Sequence, residues 1–377
     1  MNMEKKIAIL TLPLIYNYGA ILQAYALQKS VKRLGYECWL IDKELPVYPY
    51  YRRPLSIISR IIGRVLRGEK DCEIIPYWRS KKTESIISQN TRKFVEKNIF
   101  PKTERIMDLS SENDIYDVYL VGSDQVWRKS ITLRMYDYLL GFVGSDKKKC
   151  SYAASFGVDK WEFNKKETER LKSLFKTLDV VTVREDSAIN MLRNNIGIEA
   201  TQVLDPTLLL SKDDYCRLID DMDSKIKDGF IFSYILDNDL DKKEIIETLS
   251  RNRNLPLFSV MPKSSPNYGV DVTDCIYPAV EEWLRGFRDC DFVVTDSFHG
   301  TVFSIIFNKP FVVLRNDRRG NARLDSLLRL FNLENRILSS TKDVASCVYR
   351  QIDWDNVSEI LNNWKNSSLE KLKNMIN

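Results

Sequence analysis

The sequence predicts an α/β protein of two doubly wound domains, on three observations. Short apolar runs alternate with helix-period segments along most of the chain. The alternation comes in two series, separated by a polar stretch near 205–228 that holds Asp205-Pro206, Asp213-Asp214 and the run from Asp220 to Asp228. The length of 377 residues is that of about two domains. The expected units are 1–205, 206–353 and a helical tail over 354–377.

The first series opens with Ile7 to Leu12, a continuous apolar strand, and the turn Tyr16-Asn17-Tyr18-Gly19. Ala20 to Leu34 reads as a helix because Ile21, Leu22, Tyr25, Leu27, Val31 and Leu34 fall mostly on one face, and Gly35 stops it. Glu37 to Ile41 is the next strand, and strand, helix and strand of this length make a parallel βαβ unit. Leu55 to Leu66 reads as a helix with a doubled apolar stripe and with Arg60, Arg64 and Arg67 on one side. Strands follow at Val118–Val121, Lys149–Ala154 and Val180–Val183, with helices at Thr168–Leu178 and Ser187–Arg193. The second series places strands at 229–235, 257–260, 292–295 and 311–314, and helices at 242–251, 278–288 and 301–307.

Composition narrows the function classes. Hydrophobic residues at 44% and charged residues at 29% describe a folded chain, not a disordered one. A net charge of +5 is too small to argue for nucleic acid. The seven cysteines include no CxxC pair, which points to reduced thiols in a cytoplasmic protein and away from structural zinc. The one histidine, His299, excludes a metal site built on several imidazoles. No apolar run reaches the length of about 20 residues that a membrane span needs. A charged lead at Met3–Lys6, an apolar stretch and Ala24-Tyr25-Ala26 resemble a signal peptide. That stretch is short and holds Thr11 and Pro13, so it reads as a strand. The basic face of 55–67 suits either a solvated helix face or contact with an anionic membrane surface.

In open α/β sheets ligands bind beyond the carboxyl ends of the strands, and the residues standing there are polar. Asn17 and Gly19 follow the first strand. Gly122-Ser123-Asp124-Gln125-Val126-Trp127 ends another. Asp124 can orient a sugar hydroxyl or act as a base, Gln125 can bind a hydroxyl and Trp127 can stack on a sugar; the plainer reading is an Asx-turn over a buried tryptophan. Arg184 is an anion ligand or the partner of Glu185 or Asp186. The strongest segment runs from Phe292 to Leu314 as strand, polar loop, helix and strand, and it puts Ser297, His299, Gly300 and Thr301 at a helix N-terminus. Unpaired amides and the helix dipole make that end an anion site. A histidine there can donate a hydrogen bond or a proton; the alternative is a capping serine beside a half-buried histidine. Arg315, Arg318, Arg319 and Arg323 follow the next strand and form either a clamp for phosphate or carboxylate or a solvated basic loop. GxGxxG, GxxxxGK[ST] and GxSxG are all absent, which leaves no support for an NAD fingerprint, a P-loop or a hydrolase elbow.

Taken in order, Tyr16–Tyr25, Gly122–Trp127, Ser151–Gly157, Val183–Ser187, Leu204–Thr207 and Asp296–Thr301 resemble the polysaccharide pyruvyl transferases of bacteria, over nearly the whole chain. The resemblance implies two Rossmann-like domains facing a cleft, similar to the GT-B arrangement, with the acceptor on the N-terminal side and phosphoenolpyruvate on the C-terminal side. It implies transfer of pyruvate from phosphoenolpyruvate to a sugar, oligosaccharide or lipid-linked glycan as a cyclic ketal, with release of phosphate. Family practice puts His299 and nearby basic residues, Arg184 among the candidates, on the donor. Asp124 or Asp296 would serve as base, with Ser123, Ser297, Gly300, Thr301, Arg315, Arg319 and Arg323 in the binding set. The scheme asks for no metal or other cofactor and no nucleic-acid partner. A cytoplasmic protein touching the inner membrane through a lipid-linked acceptor is expected. A GT-B glycosyltransferase using a nucleotide sugar, and a catalytically silent binding member of a polysaccharide assembly complex, are the two alternatives.

Overall fold

The structure is a computed structural model that describes residues 5–44, 58, 80–132, 134–219, 229–237, 239–267, 269–344 and 349–377. The helix expected at 55–67 lies outside the described residues, apart from Ile58.

Two parallel sheets make up the molecule. The first has the order β2-β1-β3-β4-β5-β6, from β1 (Lys6–Leu10), β2 (Glu37–Ile41), β3 (Val118–Asp124), β4 (Lys148–Ala154), β5 (Val180–Val183) and β6 (Thr201–Gln202). The second has the order β11-β10-β9-β7-β8, from β7 (Ile231–Tyr234), β8 (Leu257–Phe258), β9 (Phe292–Thr295), β10 (Phe311–Leu314) and β11 (Ile337–Leu338). Central strands read as unbroken apolar runs because helices cover both faces: every residue of β9 and β10 is buried. The two-residue strands β6, β8 and β11 lie at or near the sheet edges, too short to show a period in sequence.

Strand order reverses between β1 and β3 in the first sheet and between β7 and β9 in the second. A crevice opens at each such switch point, beyond the strands' carboxyl ends. The helix α1 (Tyr18–Arg33) leaves the first switch point, capped by Asn17, whose Oδ1 accepts from Ala20 N at 3.2 Å. It is buried almost all round, so its polar residues are tied down inside the protein. Gln23 donates to Thr11 Oγ1 at 2.9 Å and accepts from Ser123 N at 3.0 Å, fixing the loops after β1 and β3 to each other.

The C-terminal helix Trp354–Ile376 returns to the first sheet: Ser368 Oγ accepts from Leu204 N at 3.0 Å, and Met375 carbonyl accepts from Cys150 Sγ at 3.6 Å. One apolar core cluster joins Ile7, Tyr18 and Cys150 of the N-terminal half to Trp283, Phe303 and Met375. Among the described residues no helix is long and apolar enough to cross a membrane.

Candidate active site

Each switch point holds a cavity, and the two meet. The larger, of about 280 Å³, lies beyond β1 and β3 and is lined by apolar side chains such as Leu12, Ile15 and Ile131 together with Tyr16, Lys43, Arg134 and Tyr138. The smaller, of about 50 Å³, lies beyond β7 and β9 and includes Ser297, His299, Asn316 and Arg323. Asn17, Asp124 and Arg319 line both, forming the seam between them.

The helix over Phe298–Ile306 begins at the small cavity, three residues earlier than the sequence suggests. Ser297 caps it: its Oγ accepts from Gly300 N at 3.3 Å, and its own N–H donates to Thr295 Oγ1 at 3.1 Å. Such a cap is worth about 1 kcal/mol. Thr301 Oγ1 donates to Ser297 carbonyl at 3.1 Å, so Thr301 braces the turn, and it does not line the cavity. Gly300 is dictated by packing, because a Cβ there would collide with Thr295 Oγ1. Gly19 has the same explanation with a different neighbour: a Cβ would strike the imidazole of His299. The first turn of α1 therefore supplies the space in which His299 sits.

His299 is 6% exposed. Its Nε2 makes no hydrogen bond and lies 3.6 Å from Asp205 Oδ2. Asp205 is the hub of the site. It accepts from Arg184 Nη1 at 2.7 Å, from Thr207 Oγ1 at 2.6 Å and N at 3.0 Å, and from Ser123 Oγ at 3.3 Å. Burial alone would raise its carboxyl, but His299, Arg184 and Thr207 outweigh burial and hold it far below the usual carboxylate range. Arg184 also reaches Asp124 Oδ1 at 3.2 Å. It thus pairs with Asp205 and Asp124, whereas the sequence offered either an anion ligand or a pair with Glu185 or Asp186. Burial opposes the charge of Asp124 as well, and Arg184, then His299 and Arg323, keep that group below its ordinary value. Asp124 is held at φ +69°, a strained conformation for a residue other than glycine and one found at functional sites.

The arginines after β10 separate. Arg315 pairs with Asp325 at 3.1 Å, half-exposed, and lines neither cavity. Arg319 lines both, held by Asp237 through Nε at 2.5 Å. Arg323 is 8% exposed, with Nη2 on Arg319 carbonyl at 3.3 Å, Nε without a partner, and no carboxylate paired to it among the described residues. Both Arg184 and Arg323 approach the Phe298 ring, with Cζ at 4.4 and 5.8 Å from its centre.

Asp296 has a different task from the proton transfer considered for it. It accepts from Leu236 N at 2.7 Å, Asp237 N at 3.3 Å, Lys242 Nζ at 2.8 Å and Asn316 Nδ2 at 2.7 Å, so its lone pairs are engaged in tying three loops together. Ser123 is fully buried behind the cavities, and Gln125, which lines the small one, accepts from Arg128 Nη1 at 2.7 Å. Trp127 is wholly buried and donates to Tyr138 carbonyl at 3.0 Å, so it packs the core and stacks on no ligand. Arg128, which no sequence signal marked, crosses to the other half and donates to the carbonyls of Arg318 and Arg319 at 3.3 and 2.5 Å. Gly320 sits on Gly157 carbonyl so closely that a Cβ would collide with it.

The family profile described as polysaccharide pyruvyl transferase matches residues 17–318, from the cap of α1 to the arginine loop. The chain belongs to the polysaccharide pyruvyl transferase family. Membership indicates a transferase of polysaccharide biosynthesis. No curated protein is a match. Among solved structures, a putative UDP-N-acetylglucosamine 2-epimerase from Listeria monocytogenes is similar at a TM-score of 0.52 and 11% identity, over 98% of this chain and 95% of that one. UDP-N-acetylglucosamine 2-epimerase from Rickettsia bellii is similar at 0.50 and 11%, over 99% and 96%. At such identities the likeness concerns the fold alone: two Rossmann-like domains in a GT-B-like arrangement, as the sequence of this pyruvyl transferase family member leads one to expect.

Proposed function

We propose that the protein moves pyruvate from phosphoenolpyruvate onto a sugar of a surface polysaccharide or its lipid-linked precursor, as a cyclic ketal. One observation carries this reading. The small cavity at the helix N-terminus is lined by two buried residues with polar atoms that make no hydrogen bond, His299 Nε2 and Arg323 Nε, and it shares Asn17, Asp124 and Arg319 with the larger cavity. A cavity of about 50 Å³ with a buried guanidinium suits a small anion better than a nucleotide diphosphate.

Arg323, Arg319 and the first amides of the Phe298–Ile306 helix hold the donor's phosphate and carboxylate. His299 gives a proton to the vinyl CH₂, and Asp205, 3.6 Å away, supplies the countercharge to the imidazolium that makes this transfer. C2 becomes oxocarbenium-like, and the ionised Asp124 in the seam stabilises it and orients the sugar hydroxyl that attacks. The C2–O bond to phosphate breaks with its electron pair on phosphate, and the neighbouring hydroxyl closes the ketal. One hydroxyl proton restores the acid and the other leaves with phosphate. A positioned acid of this kind contributes roughly 10²–10⁴-fold. Asp296, Arg184 and Ser123 position these groups.

The test is phosphate release from phosphoenolpyruvate across a panel of glycan acceptors, with NMR detection of the ketal methyl group. Acceptor-dependent release with a new ketal supports the reading. Sugar transfer from a nucleotide sugar, with no phosphate release from phosphoenolpyruvate, replaces it with the glycosyltransferase. Ligand binding with neither reaction replaces it with a silent binding member.

A further inference from the structure

A third cavity, of about 480 Å³, has no part in the chemistry above. It lies beside the larger cavity of the cleft, and Thr132 and Arg134 line both, so the two adjoin. Its volume falls in the range of about 300–1,000 Å³ common to ligand sites. One wall is a face of the helix Lys165–Phe175: Glu167, Arg170, Leu171 and Leu174 follow the i, i+3, i+4, i+7 spacing. Lys129, Arg134 and Tyr136 complete the polar part of the lining.

Three cations face one carboxylate here. Lys129 is taken by Glu167 at 2.7 Å and Arg134 by Asp137 at 3.2 Å, whereas Arg170 is exposed and has no ion pair among the described residues. Tyr136 is 41% exposed, yet its ring is fixed. Its hydroxyl donates to Gly141 carbonyl, and the ring lies against Gly141 so closely that a Cβ there would collide with it. A large aromatic surface held rigid loses little conformational freedom when something stacks on it. A guanidinium lining the same groove can take a carboxylate or phosphate bidentately. Aromatic platform and unpaired guanidinium together have the chemistry of a site for a charged sugar.

We infer that this groove is a subsite for an anionic sugar of an extended acceptor, stacked on Tyr136 with its acidic group on Arg170. The inference rests on the acceptor reading of the cleft and deepens it: the acceptor is an acidic oligosaccharide, bound at a residue away from the one that reacts. Neither Tyr136 nor Arg170 touches the cavities where the chemistry is placed.

The experiment titrates the full chain with a tetrasaccharide alternating glucuronate and N-acetylglucosamine, its carboxyl-reduced counterpart, and N-acetylglucosamine 1-phosphate. Wild type, Arg170→Ala, Arg170→Lys, Tyr136→Ala and His299→Ala are compared. Saturable binding of the acidic tetrasaccharide or of the sugar phosphate is expected, the stronger of the two identifying carboxylate or phosphate as the group read. Affinity should fall about tenfold or more in Arg170→Ala and Tyr136→Ala, recover in part in Arg170→Lys, and stay unchanged in His299→Ala. Both groove residues are exposed at the surface, and cooperative melting transitions will show that the variants fold. Equal binding of the carboxyl-reduced sugar, no binding of either anionic probe, or indifference to Arg170 and Tyr136 overturns the inference. Protection by phosphoenolpyruvate, which reads the donor cavity, is scored separately and can fail or hold independently.

Discussion

Replacing Arg323 with methionine is expected to stabilise the unliganded protein and to abolish its response to phosphoenolpyruvate. Burial and the neighbouring Arg184 push the guanidinium down from its ordinary 12.5 to about 10. Keeping it charged at pH 7 against that shift costs on the order of 3 kcal/mol. Methionine removes the charge and fills much of the same space with a flexible apolar chain. It forfeits the 3.3 Å hydrogen bond to Arg319 carbonyl, worth about 1 kcal/mol. A net gain of roughly 1–3 kcal/mol follows, a rise of a few degrees in melting temperature. The wild type should gain about 2.7 kcal/mol at 100 times the dissociation constant of phosphoenolpyruvate, and the variant nothing. Urea and thermal unfolding with and without phosphoenolpyruvate measure both quantities. A variant that melts several degrees lower yet keeps full protection would show Arg323 to be a structural residue and would refute the reasoning.

Asp205→Asn should cost roughly 3–5 kcal/mol in urea unfolding, because it leaves Arg184 buried with half its countercharge. The folded Asp205 carboxyl titrates far below its unfolded value, so its stabilisation is complete above about pH 4 and is lost as the pH falls further. The gap between wild type and Asp205→Asn should therefore narrow below about pH 4, and a gap that widens there contradicts the sign. Gly320→Ala adds a side chain at φ +80° against Gly157 carbonyl, whereas Gly197→Ala adds one at φ +76° with nothing within 4 Å. Calorimetric titration should find donor affinity reduced about tenfold in the first alone, since only it pushes the arginine loop off the N-terminal half. Arg315→Ala should leave stability within about 0.5 kcal/mol and donor protection unchanged, because its partner Asp325 lies outside both cavities.

The sequence made β9, β10 and the loop between β9 and its helix legible, because strands buried on both faces leave unbroken apolar runs ending in polar residues. From there the placement of His299 and Ser297 near the cleft followed, and the same pattern at the end of β3 placed Asp124. The roles inside the site were less legible. Asp205 appeared only as part of Leu204-Asp205-Pro206-Thr207, since nothing local says that Arg184, Ser123 and His299 converge on it from three separate segments. Asp296 reads identically in sequence whether its lone pairs are free or, as here, engaged by four donors. Gly19 and Gly300 suggested ligand approach, but their partners, His299 and Thr295, become visible only when segments meet in space. Arg128 carries no pattern at all, and its two acceptors are backbone carbonyls some 190 residues away in the chain.

Protection against thermal unfolding by phosphoenolpyruvate, set beside UDP- and GDP-sugars and repeated in His299→Ala, tests the donor assignment most directly. Saturable stabilisation of the wild type by phosphoenolpyruvate, lost in a folded His299→Ala protein and not reproduced by the nucleotide sugars, is the expected result. No stabilisation at millimolar phosphoenolpyruvate, with a clear shift from one nucleotide sugar, would contradict it.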